Sequence, residues 1–426
     1  LENTNDLLTS NMFVSVNASR MNDFYKDTTR ERIFHGNGTG FGGIFKVTND
    51  ITKYTKAKIF SELGKETEVV VRLSSTTSQH GTSELFRDTR GFSVRFKGED
   101  GPFDIVGLNV PIQYVVDREN VLHLHNGSQR NYFSGLYEAN EKWSLFSKTP
   151  EALHKITMVW SDRGIPRTWR NMNGYGCNTF SFINESDERF WVKFHFKTMQ
   201  GHEFLTDKQA AEISQIEPNY HTYDMYEAIA KRNFPKWKLY VQIMPEDECT
   251  KLEFNPFRMN NIWPHSQFPL IEVGVMELNI SHYHQLVTIE RMAWSPSNIP
   301  EGIGMSHDGA LLDRATAYPL VQKTRVGFDI NKLSKHVKSE IKKFLSTETF
   351  YLCENKETND HFNQSRALWQ SFSDEEKNRL YSNLANTLIR VKKDIVVNQL
   401  NLFSMIDQAY ADGVLLALES LGFNRD

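Results

Sequence analysis

The chain has 426 residues, 39% of them hydrophobic and 24% charged, with a formal net charge of −4. That length and apolar content suffice for one large core or two unequal domains. The mild negative balance excludes the basic field that nucleic acid or an anionic membrane surface would require, and no apolar run approaches bilayer-spanning length.

Residues 1–30 are polar with little periodicity and read as an N-terminal arm. Strand signals then recur between Gly42 and Phe103, at Ile44-Phe45-Lys46-Val47, Glu68 to Ser74 and Gly91 to Phe96. Each alternates or is β-branched, with turn-forming residues between them. Further strands are expected at Thr179 to Phe182, Phe190 to Phe196 and Trp237 to Met244, and a helix from Asp207 to Ile216, opened by an Asp cap. Strands in series with helical insertions predict an α+β chain built on a large antiparallel β-barrel, not a βαβ sheet. Trp294 to Pro300 holds two prolines and is expected to be irregular. Beyond Asn331 the pattern turns helical, with apolar positions at Leu345, Leu368, Leu380, Leu384, Leu388 and Ile395, and 413–418 forms the buried face of a terminal helix.

Several motifs lead nowhere. The run Gly36 to Gly43 resembles a dinucleotide loop, but a strand follows it where a helix is needed, so it reads as a turn. His123 with His125, and His282 with His284, each place two imidazoles on one face of a strand, short of the three or four ligands of a zinc site. No Gly-x-Ser-x-Gly elbow is present. Cys177, Cys249 and Cys353 are too few for a disulfide framework. Six sequons, at Asn17, Asn37, Asn126, Asn184, Asn279 and Asn363, together with a start at Leu1, point to a mature secreted glycoprotein.

Seven segments are more specific. They are Arg32-Ile33-Phe34-His35, Asp50 to Lys58, Arg87-Asp88-Thr89-Arg90-Gly91-Phe92, Ser161 to Pro166, Met172 to Gly176, Trp263-Pro264-His265 and Arg314-Ala315-Thr316-Ala317-Tyr318-Pro319. In content and order they resemble the catalase family from about residue 30 to residue 325. The resemblance implies haem b, an iron porphyrin, with Tyr318 as the tyrosinate ligand of the metal. Arg314, four residues earlier, would share a helix face with Tyr318 and favour its ionised form. Arg32, Arg72 and Arg325 would receive the propionates. His35 would be the distal acid–base imidazole, oriented by Ser74, with Asp88 in the access channel.

A second site follows from the same resemblance. His154, Ser161, Arg163, Asn173, His195, Lys197, Ile262, Trp263 and His265 fall on positions that bind NADPH in many catalases, with Met158 replacing an aromatic.

The chain also departs from the family. Leu108 stands where the distal asparagine is expected, and Asn109, if in a strand, should point to the opposite face. Gln113 and Val121 replace phenylalanines, and Phe34 sits where a small aliphatic residue is usual. The arm at 1–30 and the wrapping segment at 291–345 are short, which speaks against the interlocked tetramer while leaving a homo-oligomer open. The expected division is therefore arm, haem-binding barrel at 31–290, shortened wrapping segment carrying Tyr318, and helical domain at 346–426. The functional expectation is a secreted oxidoreductase decomposing hydrogen peroxide, with weakened turnover. The alternatives are transformation of organic or fatty-acid hydroperoxides, as in catalase-related allene oxide synthases, and a non-catalytic carrier of haem or another tetrapyrrole.

Overall fold

The computed structural model describes residues 32, 34–77, 81–114, 118–128, 131, 133–281, 283–326, 333–345 and 361–424. Eight antiparallel strands, β1 (Gly38–Val47), β2 (Glu66–Ser75), β3 (Arg90–Gly98), β4 (Gly101–Leu108), β5 (Gly174–Ile183), β6 (Arg189–Thr198), β7 (Lys236–Pro245) and β8 (Ile271–Ile280), run in the order β4-β3-β2-β1-β8-β7-β6-β5. The pairing of Leu108 with Tyr175 joins β4 to β5 and closes the barrel. A two-residue strand, β9 (Ile303–Gly304), pairs with β5 outside the barrel.

Alternation along each strand decides which side chains fill the interior. In β2, Val69, Val71 and Leu73 join the main core with Phe41, Phe45, Phe92, Phe96 and Phe194, while Val70 packs in a separate cluster with Ile289 and Trp294. Val70, Arg72 and Ser74 therefore lie on the outer surface, and that surface carries the functional site. Inside, phenylalanines meet edge to face, as Phe45 does with Phe96 at 5.2 Å, a geometry that suits the ring quadrupole. Gly43 sits at a bulge in the β1–β8 ladder, where a Cβ would overlap the Glu277 carbonyl.

Helices α1 (Arg118–Gly127), α2 (Ala139–Phe146) and α3 (Leu153–Trp160) lie between β4 and β5, and α4 (Asp207–Ile216) and α5 (Tyr220–Ala230) between β6 and β7. The chain continues through α6 (Gly309–Val326), α7 (Lys335–Leu345), α8 (Asn363–Gln370), α9 (Asp374–Leu388), α10 (Lys393–Ile406) and α11 (Gln408–Ser420). The C-terminal helices share one core with the barrel insertions. Trp143, Phe146, Ile156 and Trp160 pack with Leu380, Leu384, Leu388, Phe403, Tyr410 and Val414. No described helix is long and apolar enough to cross a membrane.

The structure refines several expectations. The cap of α4 is Thr206, which forms a reciprocal capping box with Gln209; Asp207 is the first helical residue. His123 lies exposed on helix α1, not on a strand, and His282 falls outside the described residues. Among the described residues no group of three or more potential metal-binding side chains forms. Cys177 and Cys249 are free and buried, and Cys353 lies outside the described residues. Two sequons are occupied by packing. The Asn37 amide is buried and donates to the Thr82 carbonyl at 2.8 Å, and the Asn184 amide is buried and donates to Glu188 at 2.7 Å. Asn363 is exposed at the start of α8, and Asn17, with the arm, lies outside the described residues.

Candidate active site

His35 precedes β1 in a left-handed conformation, with φ 63°, unusual for a residue with a Cβ. Its backbone N–H donates to the Thr76 carbonyl at 2.9 Å, and its Nδ1 lies 3.0 Å from Ser74 Oγ on the outer face of β2. Gly91, paired with Ser74 across the β2–β3 ladder, makes room for this contact. A Cβ there would overlap both Ser74 Oγ and the imidazole ring. Burial, reinforced by the charges of Arg72, Arg32, Arg314 and Lys155, lowers the His35 pKa to about 3. The imidazole is therefore neutral at physiological pH, the state a proton acceptor requires.

Three guanidiniums gather beside it. Arg72 donates from Nε at 3.2 Å and from a terminal nitrogen at 3.0 Å to Glu290 Oε1; Arg32 pairs with the other oxygen of Glu290. Arg325, at the end of α6, lies close enough for its charge to act on Arg32, while the charges of Glu290 and Arg72 act on it in turn. Three cations around one carboxylate leave a surplus of two positive charges. That surplus matches the two propionates of a haem, so the donor set fits the group.

Tyr318 is carried on α6. Asp308 anchors the start of this helix. It accepts from the Leu311 N–H at 2.9 Å and ties back to the barrel through Asn178 at 2.9 Å and the Thr179 N–H at 3.1 Å. Arg314 donates through Nε to the Tyr318 hydroxyl at 3.1 Å, and also binds Asn178 and the Val106 carbonyl. Burial works to lower the Arg314 pKa, but Tyr318, together with Cys177 and Asp308, more than offsets it. A phenol oxygen held against a permanent cation is suited to act as an anionic iron ligand.

Leu108 pairs with Gly91 and so shares the outer face with Ser74 and Arg72. It is 5% exposed and packs with Val110, Ile112, Met158, Cys177 and Met259, an apolar patch with no donor at this position. Asn109 points the other way, its Oδ1 accepting from the Arg90 N–H at 2.8 Å. Gln113 accepts from Lys155 Nζ at 3.1 Å, and Val121 is exposed on α1. Asp88 is buried and accepts from Thr77 and from the Thr89 N–H.

The coenzyme candidates divide into two sets. His195, Lys197 and Asn173 converge on Tyr175, and His265 lies beside His195. Lys197 Nζ and Asn173 Nδ2 donate to the Tyr175 hydroxyl at 3.1 and 3.3 Å, and the rings of His195 and His265 lie 6.0 Å apart. Arg163 acts electrostatically on both His154 and His202, a histidine the sequence did not single out. The buried Nδ1 atoms of His154 and His195 have no hydrogen-bond partner among the described residues. Ser161 and Trp263, by contrast, serve the fold. Ser161 Oγ donates to the Met158 carbonyl at 2.7 Å, and Trp263 Nε1 to the Pro256 carbonyl at 2.8 Å. Ile262 is bracketed by Gln364 of α8, which bonds both its N–H and its carbonyl.

Buried neutral histidines couple stability to pH. Burial lowers His154 to about 4 and His221 to about 3, below the ordinary value near 6.5. A depressed folded-state pKa gives stability that is complete above the unfolded value and is lost as pH falls towards the folded one. The melting temperature should therefore drop between pH 6.5 and 4, at up to about 1.4 kcal/mol per pH unit for each such histidine. His221→Gln should flatten this slope in calorimetric scans; an unchanged slope would count against the buried neutral state.

Comparison with known proteins agrees with this fold. The family model for catalase matches residues 8–367, and that for the catalase-related immune-responsive domain matches 355–418. A catalase of Helicobacter pylori is 36% identical over 93% of this chain and 87% of its own length, and one of Aliivibrio fischeri is 36% identical over 94% and 92%. Among solved structures, a bacterial catalase superposes with a TM-score of 0.86 at 27% identity, covering 96% of this chain and 91% of its own. Catalase A of Saccharomyces cerevisiae gives 0.85 at 25% identity, covering 96% and 93%. The closed eight-stranded antiparallel barrel with helical insertions and a helical C-terminal region is the class of fold shared by these haem enzymes. Within that class, the chain belongs to the catalase family.

Proposed function

We propose that this chain is a haem-dependent hydroperoxidase that decomposes hydrogen peroxide with reduced turnover. The observation that carries this reading is the pairing of two motifs in one fold. His35 is held neutral against Ser74, and Tyr318 is held against Arg314, with a surplus of cations beside His35 for two carboxylates. Bound there, the iron porphyrin would supply the two-electron redox chemistry.

The chain's own residues handle protons and position. With His35 Nδ1–H donating to Ser74 Oγ, Nε2 presents its lone pair to the substrate. It accepts a proton from one peroxide oxygen and returns it to the other, which departs as water. Arg32, Arg72 and Arg325 would hold the propionates, and Tyr318 would ligate the iron. Leu108 offers the peroxide no hydrogen bond, and one preorganised donor is worth about 2–4 kcal/mol of transition-state stabilisation. Leu108→Asn should therefore raise oxygen evolution from hydrogen peroxide by at least about tenfold. An oxygen electrode checks this on protein whose haem band is intact. If the rate is unchanged, the distal asparagine is not what limits this enzyme.

A second substrate class, organic hydroperoxides, is favoured by the same apolar Leu108 patch. NADPH is the proposed occupant of the cluster of His154, Arg163, His195, Lys197 and His265, whose cations suit phosphates. Export of the mature chain is supported by the exposed sequon at Asn363.

A further inference from the structure

Glu290 follows a single π-turn, Gln285–Ile289, and its own N–H closes that turn by donating to the Gln285 carbonyl, five residues back, at 2.8 Å. Such turns are rare and often mark functional positions. This one is fastened to the barrel. The Gln285 side chain accepts from the Gly40 N–H and donates to the Gly40 carbonyl of β1, both at 3.0 Å. Gly40 also makes room for it, because a Cβ there would overlap Ile289. The Glu290 carboxylate is thus delivered to one defined place, buried beside Arg72 on the outer face of β2.

Two guanidiniums divide that carboxylate. Arg72 spends Nε and Nη2 on Oε1, and Arg32 takes Oε2 with Nη1. Arg32 Nη2 donates to the Ile289 and Met292 carbonyls at 3.3 and 2.9 Å, and Arg72 Nη2 also to the Gly36 carbonyl at 3.3 Å. Arg72 Nη1 and Arg32 Nε have no acceptor among the described residues. A guanidinium is a rigid planar fork, so fixing one edge on Glu290 fixes the direction of the donors that remain. Two like charges sharing one anion would otherwise repel, and Glu290 holds them together while neutralising only one of them.

We propose that Glu290 is a positioning residue of the haem site, which locks Arg32 and Arg72 together so that Arg72 Nη1 and Arg32 Nε stand ready for the porphyrin's carboxylates. This assignment rests on the haem hydroperoxidase reading above. Donors fixed before the ligand arrives bind it without the cost of ordering them, and that is what the π-turn and its anchor on β1 supply. Without the carboxylate, buried Arg72 has no anion and the two cations separate. The carbonyls of Gly36, Ile289 and Met292 then compete for the donors that the propionates need. A porphyrin whose carboxylates are esterified makes no charged contact with these arginines, so it is indifferent to Glu290.

The test compares haemin with haemin dimethyl ester, titrated into the full-length apoprotein and followed by absorption. The unmodified protein should bind haemin at least about tenfold tighter than the ester. Glu290→Gln keeps the packing and removes the charge, and should cut that preference by about tenfold or more, through haemin alone. Glu290→Asp keeps the charge and should retain most of the preference. Glu290→Ala leaves a gap the size of acetate, so added acetate should restore its preference for haemin, and chloride at equal ionic strength should not. A merely structural loss would weaken acid and ester alike and would not respond to acetate. An unchanged preference in Glu290→Gln, or tighter haemin binding than in the parent, overturns the proposal; the second result would mean that Glu290 competes for the arginines. If the unmodified protein binds neither porphyrin, the haem reading itself falls.

Discussion

His35→Ala should lower kcat/KM for hydrogen peroxide by about 10²- to 10⁴-fold, the range a positioned acid–base group contributes. The haem absorption band should remain in place. The expectation follows from the geometry of the side chain. A left-handed backbone at φ 63° costs about 1–2 kcal/mol for a residue with a Cβ, and here it is stabilised by the bond to the Thr76 carbonyl and the contact with Ser74. The methyl of alanine cannot reach a peroxide oxygen or shuttle its proton. Ser74→Ala should have a smaller effect, because it frees the imidazole to rotate without removing it. The pH profile gives an independent check. Four cations and burial hold His35 neutral down to about 3, so the unmodified enzyme should show no inflection near the ordinary histidine value of 6.5. A clear loss of kcat/KM on acidification through 6.5 would mean that the imidazole is not held in this environment.

The sequence disclosed the site unevenly, for physical reasons. Strands β2, β3, β6 and β7 were legible because β-branched and aromatic residues recur at alternate positions facing the interior, and Tyr318 with Arg314 because a spacing of four defines one helix face. Strand β4, Gly101–Leu108, gave a weak signal: Gly101, Pro102 and Asp104 carry no strand preference, and the buried Asp104 is there because Arg95 pairs with it. Glu290 was invisible for a different reason. Nothing in Ile289-Glu290-Arg291 marks a carboxylate that two arginines, 258 and 218 residues away, will use as their common partner. Asp308 could have been found as an Asp directly before a helix start. Lys155 could not, since an isolated lysine on an amphipathic helix reads as a solvated charge until the fold buries it.

Tyr318→Phe should yield a folded protein that does not retain haem. Phenylalanine keeps the ring and removes the oxygen, so the change isolates ligation from packing. The substitution also leaves the Arg314 guanidinium with Asn178 and the Val106 carbonyl as partners but without the phenol oxygen that accepts from its Nε. Even changes to groups that only support a metal ligand cost about 10- to 100-fold in affinity, so loss of the ligand itself should cost at least on the order of 10². Arg314→Gln supplies the comparison. It keeps the phenol but withdraws the guanidinium that holds its oxygen in place, and should fall within the smaller range. Titration of apoprotein with haemin, followed by absorption, ranks the three proteins. The order should be unmodified, then Arg314→Gln, then Tyr318→Phe, with His35→Ala close to unmodified because it acts on the substrate's protons and not on the metal. If Tyr318→Phe bound haemin as tightly as the parent with an unchanged spectrum, the iron would be held elsewhere. The anchoring of α6 through Asp308 and Arg314 would then serve only to fasten the helix to the barrel.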